Sequence, residues 1–367
     1  SSDGGVDFFL DTPYQNLALL LDIPIVKASE VTADNPLGTG PYSLEDGIGG
    51  KHLQRVVGWW CSSDDLVAKD SSIALVEAES PSQIRDEFEF SGLSVVCTNP
   101  QTDSYADYRC DFELWEVDSG FMMYVGCNVT YSKFFDDGTL RTFLTYGIDR
   151  QTLVDDNYGG LALPTTLPIS PMSPYYSKSL ATNYDYDEMR FIDAASKFRV
   201  PTNDKGVPRT LQLLVNSDDS ARLRCARNIA ATLTELGLAC ETVESPTSVY
   251  EARLQAANYD IYLGITKLPT TADLSEFYRQ WGEMSWGGLA NETIYNMVNQ
   301  SLADRGNYYN LHKLVADDGR IIPVMAGYYA IYAKRGVLSD LNPARDNVFY
   351  YTLGKTMESS KVATQFS

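Results

Sequence analysis

Between Arg209 and Gly264 the spacing of apolar residues alternates between the two-residue period of a strand and the 3.6-residue period of a helix. No other stretch constrains the fold as much. Thr210 to Val215 reads as a strand, Asp218 to Leu236 as a helix, Leu238 to Val243 as a strand, Ser248 to Ala257 as a helix and Tyr259 to Gly264 as a strand. On the first helix Leu223, Ala226, Ile229, Ala230, Leu233 and Leu236 share one face. Ser217 or Asp218 is placed to cap its start, and Gly237 supplies the stop. Connections this short imply right-handed crossovers, so the order βαβαβ predicts a parallel sheet and places the chain in the α/β class.

A length of 367 residues exceeds the size at which single cores stop growing, so two lobes are expected. With 44% hydrophobic and 21% charged residues the chain can bury a core. Asp and Glu number 49 against 29 Lys and Arg, and the net charge of -20 repels phosphates and anionic lipid, so nucleic acid is not an expected partner. Aromatic residues reach 12%, with 24 Tyr. Tyr offers a flat apolar face and a hydroxyl with few rotors to freeze, so this surplus either fills cores or lines a recognition surface. No stretch approaches the roughly 20 apolar residues of a membrane span, and the opening SSDGGVDFF has neither a basic nor a hydrophobic leader. Export remains compatible with this, because leaders are removed.

Before the βαβαβ run come a short strand from Val6 to Leu10, a Leu-rich segment from Leu17 to Ile25, and the turning stretch Asn35-Pro-Leu-Gly-Thr-Gly-Pro-Tyr42. In that stretch Pro36 and Pro41 fix φ, and Gly38 and Gly40 allow positive φ. Arg55-Val-Val-Gly-Trp-Trp60, Ser72-Ile-Ala-Leu-Val76 and Leu93-Ser-Val-Val-Cys97 read as strands of a mixed sheet with few helices. Asp137 to Tyr146 and Asp149 to Tyr158 have helical spacing with an Asp at each start. Gly159-Gly160 stops the second, and Pro164, Pro168, Pro171 and Pro174 exclude regular structure to about Tyr184. A helix near Glu292 to Asp304 and an extended apolar-aromatic run from Ile321 to Ala333 close the pattern.

Nothing in the text assembles a catalytic centre. The adjacent pairs Asp136-Asp137, Asp155-Asp156, Asp218-Asp219 and Asp317-Asp318 suit caps and turns, whereas a glycosidase needs two carboxyls about 5–10 Å apart across a cleft. No Gly-x-Ser-x-Gly elbow or Walker loop occurs, and His52 and His312 have no nucleophile or ligand at useful spacing. Cys61, Cys97, Cys110, Cys127, Cys225 and Cys240 are scattered without a Cys-x-x-Cys pair and read as buried free thiols. No metal, no cofactor and no enzymatic activity are expected.

Asn35-Pro-Leu-Gly-Thr-Gly-Pro-Tyr-Ser-Leu44 resembles the NP-x-GTGPY-x-L signature of the family 5 extracellular solute-binding proteins, the oligopeptide- and dipeptide-binding group of bacterial ABC importers. Phe134 to Val154 is similar to that family's helix pair, and the likeness continues through Tyr158-Gly-Gly-Leu-Ala162 into the Pro-rich loop. Val249 to Gly264, with Leu268-Pro-Thr-Thr-Ala-Asp-Leu-Ser-Glu-Phe277 after it, looks like the family's YDi strand and the segment leading to its Phe. The chain departs where Ile265-Thr-Lys replaces the family's Trp and where Asp273-Leu274 replaces Asp-Pro. The family's N-terminal part has no counterpart before Val6.

The resemblance implies a two-lobed periplasmic-binding-protein-like fold (type II, cluster C) with its first lobe incomplete. Residues 1–128 plus 321–367 would form the first lobe, and 129–320 a second α/β lobe inserted into it. Met122 to Cys127 and Ile322 to Ala333 would cross between them, either as hinges or as central core strands. It further implies non-covalent capture of a peptide between the lobes, handover to ABC permease subunits in the membrane, a monomer, no catalysis, and an extracellular, lipoprotein-anchored or periplasmic location. Asp273 is the candidate partner of a terminal ammonium, with a helix N-cap for Ser275 as its other reading. Trp281, Trp286, Tyr328 and Tyr329 are candidate ligand-facing aromatics, with core packing as theirs. An oligosaccharide receptor of the same fold and the ligand-sensing domain of a transcription regulator are the competing functions. Nickel-binding members exist, but two isolated histidines argue against a metal here.

Overall fold

The structure, a computed structural model, describes residues 7–341, 343, 345 and 354–355 apart from 12, 22, 24, 35, 62–69, 79 and 99–107, with backbone alone for 339–340 and 354–355. Val6 and Asn35, which opened two of the sequence patterns, lie outside the described residues. The chain divides into a larger unit, residues 1–21 with 120–327, and a smaller one, residues 22–119 with 328–367.

In the smaller unit β1 (Tyr42–Gly47) and β2 (Gly50–Arg55) form a hairpin whose register runs from Tyr42↔Arg55 to Gly47↔Gly50, and β3 (Ser72–Ala74) pairs with β2. The expected strand at Arg55 to Trp60 is a correction: it ends at Arg55, Gly58 turns the chain at φ 73°, and the indole N–H groups of Trp59 and Trp60 both donate to the Thr39 carbonyl at 2.8 Å. Gly38 and Gly40 do not adopt positive φ. Gly38 instead bridges Val26, beside a 2.9 Å bond from the Lys27 amide to the Leu37 carbonyl. Asp7 to Leu10 form no strand, and Leu17–Leu20 is a single 3₁₀ turn. Helix α1 (Pro81–Phe90) was not foreseen, because its text is polar and only Phe88 is fully buried. Its start is nonetheless well specified: the Ser80 hydroxyl accepts from the Gln83 amide at 3.2 Å and Pro81 occupies the first turn. Strand β4 (Val95–Thr98) follows, and then the long β5 (Phe112–Cys127), which passes from the smaller unit into the larger.

In the larger unit α2 (Thr139–Phe143) and a 3₁₀ turn precede α3 (Arg150–Tyr158). As the sequence predicts, Asp149 caps α3 through the Thr152 amide at 3.2 Å, and Gly159 ends it at φ 56°. The Pro-rich stretch still holds three short elements, β6 (Leu163–Pro164), α4 (Lys178–Ala181), capped by Ser177, and a 3₁₀ turn (Thr182–Tyr184). After α5 (Glu188–Lys197) come β7 (Leu211–Asn216), α6 (Ser220–Glu235), β8 (Cys240–Ser245), α7 (Thr247–Gln255) and β9 (Ile261–Lys267). β7 pairs in parallel with both β8 and β9, as the βαβαβ pattern requires. The cap of α6 is Asp219, which accepts from the Arg222 amide at 2.9 Å, and not Ser217 or Asp218. Asp218 instead takes the Thr247 amide and hydroxyl at 2.9 and 2.8 Å and ties the exit of β7 to the start of α7, which holds its carboxyl below the usual range.

The chain closes with α8 (Ser275–Tyr278), α9 (Glu292–Ala303), α10 (Tyr308–Asp318) and β10 (Ile321–Lys334), followed by the small pair β11 (Leu338–Asp340) and β12 (Gly354–Lys355). β10 is the second strand to run between the units, and the sheet order β10-β5-β9-β7-β8 holds the larger one together. Successive residues of these strands feed two separate cores. Met123, Val125, Leu213, Val215, Ile261 and Leu263 join α3 and α6 on one face, while Met122, Tyr124, Leu214 and Tyr262 join α9 and α10 on the other. All six cysteines are free. Cys127, Cys225 and Cys240 are buried as expected, Cys61 and Cys110 only partly, and Cys97 is exposed.

His312 sits inside the second core at 0% exposure, with no hydrogen bond to either ring nitrogen among the described residues. Burial pushes its pKa from 6.5 down to about 4. Below the unfolded value the unfolded chain takes up a proton that the folded chain refuses, so stability falls as pH drops from 6.5 toward 4, by about 3 kcal/mol in full. His312→Phe is expected to remove that component. Urea unfolding at about pH 7.5 and about pH 4.5 measures it, and an equal acid loss in both proteins rejects it.

Candidate functional site

The carboxyl end of β9 is where an open α/β sheet presents its ligand-facing loops. The Leu268 amide there donates to the Gly120 carbonyl at 2.8 Å, and Pro269 to Ala272 close a turn through a 2.8 Å bond from the Ala272 amide to the Pro269 carbonyl. Thr271 is 1% exposed, and both its polar groups are engaged. Its carbonyl accepts the Tyr308 hydroxyl at 2.5 Å, and its hydroxyl pairs with the Tyr14 hydroxyl at 2.8 Å. Ala272 then stands in the left-handed region at φ 52°.

Asp273 follows, half-buried. Its Oδ1 accepts the Ser275 amide at 2.8 Å and the Ser275 hydroxyl at 2.5 Å, an Asx turn that leads into α8, whose N-cap position is Leu274 and not Asp273. Its Oδ2 accepts no hydrogen bond among the described residues, so the turn uses half of the carboxylate. The Tyr308 phenol beside it is pushed up to about 12, by burial first, with Tyr14, Tyr175 and the Asp273 charge adding to it.

The next loop is braced by Glu276. Its carboxylate takes both arms of the Arg279 guanidinium at 2.8 and 2.7 Å and the Glu283 amide at 2.9 Å, while its carbonyl accepts the Met284 amide at 3.1 Å. At the tip stands Trp281, 87% exposed and left-handed at φ 64°. Gly282 is required beside it, since a Cβ there would lie 2.1 Å from the Glu276 carbonyl oxygen. Ala272 and Trp281 are two of the three non-glycine residues at positive φ among the described residues, and such strain gathers where surroundings over-determine the backbone.

The structure brings Asp273 and Trp281 into one segment. Trp286, in a 3₁₀ turn, packs against the second core. Tyr328 and Tyr329 belong to the smaller unit, Tyr328 at 3% exposure with its phenol pushed up to about 12 by burial and Glu116, and Tyr329 partly buried. Tyr14, Thr271 and Tyr308 were not singled out from sequence, and no local signal joins residues 257 positions apart. A cavity of about 480 Å³ elsewhere in the larger unit is walled by Tyr146, Tyr184, Asp185, Arg190 and Asp317. Much of that wall is already paired: Arg190 lies 3.8 Å over the Tyr146 ring, and Asp317 holds Tyr184 at 2.6 Å and also Lys313.

The sequence model of the bacterial extracellular solute-binding proteins, family 5 Middle, matches residues 5–287. The chain belongs to this family. Family 5 proteins are extracellular or periplasmic, bind solutes rather than transform them, and work with membrane ABC permeases, so the chain has a substrate-binding role. A comparison with curated protein sequences returns no match. Among solved structures, the ABC transporter substrate binding protein CtaP of Listeria monocytogenes superposes with a TM-score of 0.72 at 16% identity, over 95% of this chain and 75% of that one. NikA of Brucella suis, solved with Fe(III)-EDTA, gives 0.67 at 16% identity over 89% and 70%. The oligopeptide-binding protein AppA of Bacillus subtilis, solved with a nonapeptide, gives 0.58 at 15% identity over 86% and 66%. These likenesses carry the two-lobed periplasmic-binding-protein-like fold of family 5.

Proposed function

We propose that this family 5 protein binds peptides for import, and that Asp273 receives the ligand's α-ammonium while Trp281 offers an aromatic face to the chain that follows. The observation that carries this is the Asp273 Oδ2, a carboxylate oxygen left without a partner at the carboxyl end of β9, on a segment whose backbone is held under strain. Capture is non-covalent, the protein acts as a monomer without catalysis, and a lipoprotein anchor or the periplasm keeps it beside its permease.

The test is retention of peptides on the immobilised full-length protein from a tryptic casein digest, half of it N-acetylated, read by mass spectrometry. Free-amine forms are expected to be retained about tenfold or more over their acetylated twins. Equal retention rejects the assignment. An oligosaccharide ligand is the second reading, favoured by the exposed Trp281 ring, and such a ligand would be indifferent to Asp273.

A further inference from the structure

We infer that Tyr14 and Tyr308 are positioning residues that grip Thr271 at its hydroxyl and its carbonyl, hold Ala272 in the left-handed region, and so aim the Asp273 Oδ2 at the ligand. This rests on the peptide reading of Asp273.

The local support of the turn is the one bond from the Ala272 amide to the Pro269 carbonyl. Left-handed backbone is unfavourable for an alanine, whose Cβ crowds the following carbonyl, and the surroundings must maintain it. The surroundings here are the two phenols. Tyr308 is itself fixed by stacking on Tyr175, with ring centroids 4.6 Å apart and planes 18° apart. Tyr14 is fixed by its neighbour Gln15, whose amide donates to the Leu302 carbonyl at 2.8 Å and whose side-chain oxygen accepts the Arg305 amide at 3.0 Å. The segment holding Tyr14 is thereby strapped across the end of α9, close enough for the Tyr14 phenol to feel the Asp273 charge. Loss of the Tyr14 hydroxyl leaves the buried Thr271 hydroxyl without that partner and frees Ala272 to relax, which turns the next peptide and swings Asp273 away.

The retention assay, run on the full-length protein, separates this inference from the reading beneath it. Tyr14→Phe is expected to cut the preference for free over acetylated peptides about fivefold, and Thr271→Val, which removes the same bond from its other end, should do likewise. Glycine occupies the left-handed region without a Cβ penalty, so adding Ala272→Gly to Tyr14→Phe should restore most of the preference. A general loss of stability would not be repaired by a glycine. If Asp273→Asn abolishes the preference while Tyr14→Phe and Thr271→Val retain it, or if Ala272→Gly restores nothing, the positioning role is overturned and the peptide reading stands. If the wild-type protein has no preference, both fall.

Discussion

Asp273→Asn is expected to weaken a free-amine peptide about ten- to a hundredfold and to leave the fold intact. The two halves of that expectation come from the two oxygens. Oδ1 closes an Asx turn onto Ser275, and an asparagine oxygen can accept the same amide, since Asn forms such turns as Asp does. Oδ2 has only its charge to offer, and a charge-assisted hydrogen bond to an ammonium is worth roughly 1.5–3 kcal/mol. Calorimetry with one peptide taken from the retained pool, free and N-acetylated, completes the cycle. Acetylation should reproduce the mutation in the wild-type protein and add little in the variant, because either change removes the same ion pair. Affinity within twofold of wild type for the free peptide would leave Asp273 with its turn onto Ser275 alone.

The largest stability effect should come from Gly264→Ala or Gly126→Ala. The β5–β9 register sets Tyr124 opposite Gly264 and Tyr262 opposite Gly126. Each tyrosine lies over the glycine facing it, so an added Cβ would stand 2.6 Å from Tyr124 Cζ at position 264 and 2.3 Å from Tyr262 Cε1 at position 126. Neither ring can retreat. Both are 1% exposed, meet edge to face at 5.7 Å, and share a 3.3 Å hydroxyl contact. Overpacking at such a point costs about 1–3 kcal/mol or more, a fall of about 2–12 °C in melting temperature for a unit of this size. Gly92→Ala, where a Cβ meets nothing within 4 Å, should change little and serves as the control. A Gly264→Ala protein melting within about 1 °C of wild type would mean that the interlock is absent.

Those glycines mark where sequence reading stops. From the text, Met122 to Cys127 was either a hinge or a core strand. Gly126 is not at positive φ and is there to admit a ring, which is a packing reason rather than a flexibility one. The signal lay in Tyr262, far along the chain, and no local window contains both.

What the sequence by itself determined was whatever depends on near neighbours. The parallel β7, β8 and β9, the Asp149 cap, the glycine stop at 159 and the family signatures all follow from spacing within a few residues, because helix and strand periods, caps and turns are set by atoms a turn or a strand apart. Even there the cap of α6 fell to the fold: the sequence points to Ser217 or Asp218, whereas Thr247 draws Asp218 away to tie two elements together and Asp219 caps the helix. Helix α1 escaped for the opposite reason, since a helix that buries one phenylalanine leaves almost no periodic pattern. The candidate site divides along the same line. Asp273 was legible as an acid after the last strand of a βαβαβ unit. Its free oxygen, the strained Ala272 and the grip of Tyr14 and Tyr308 on Thr271 exist only once β9, α9, α10 and the N-terminal segment meet, because a hydrogen bond acts over about 3 Å while the residues that make this one are 257 positions apart.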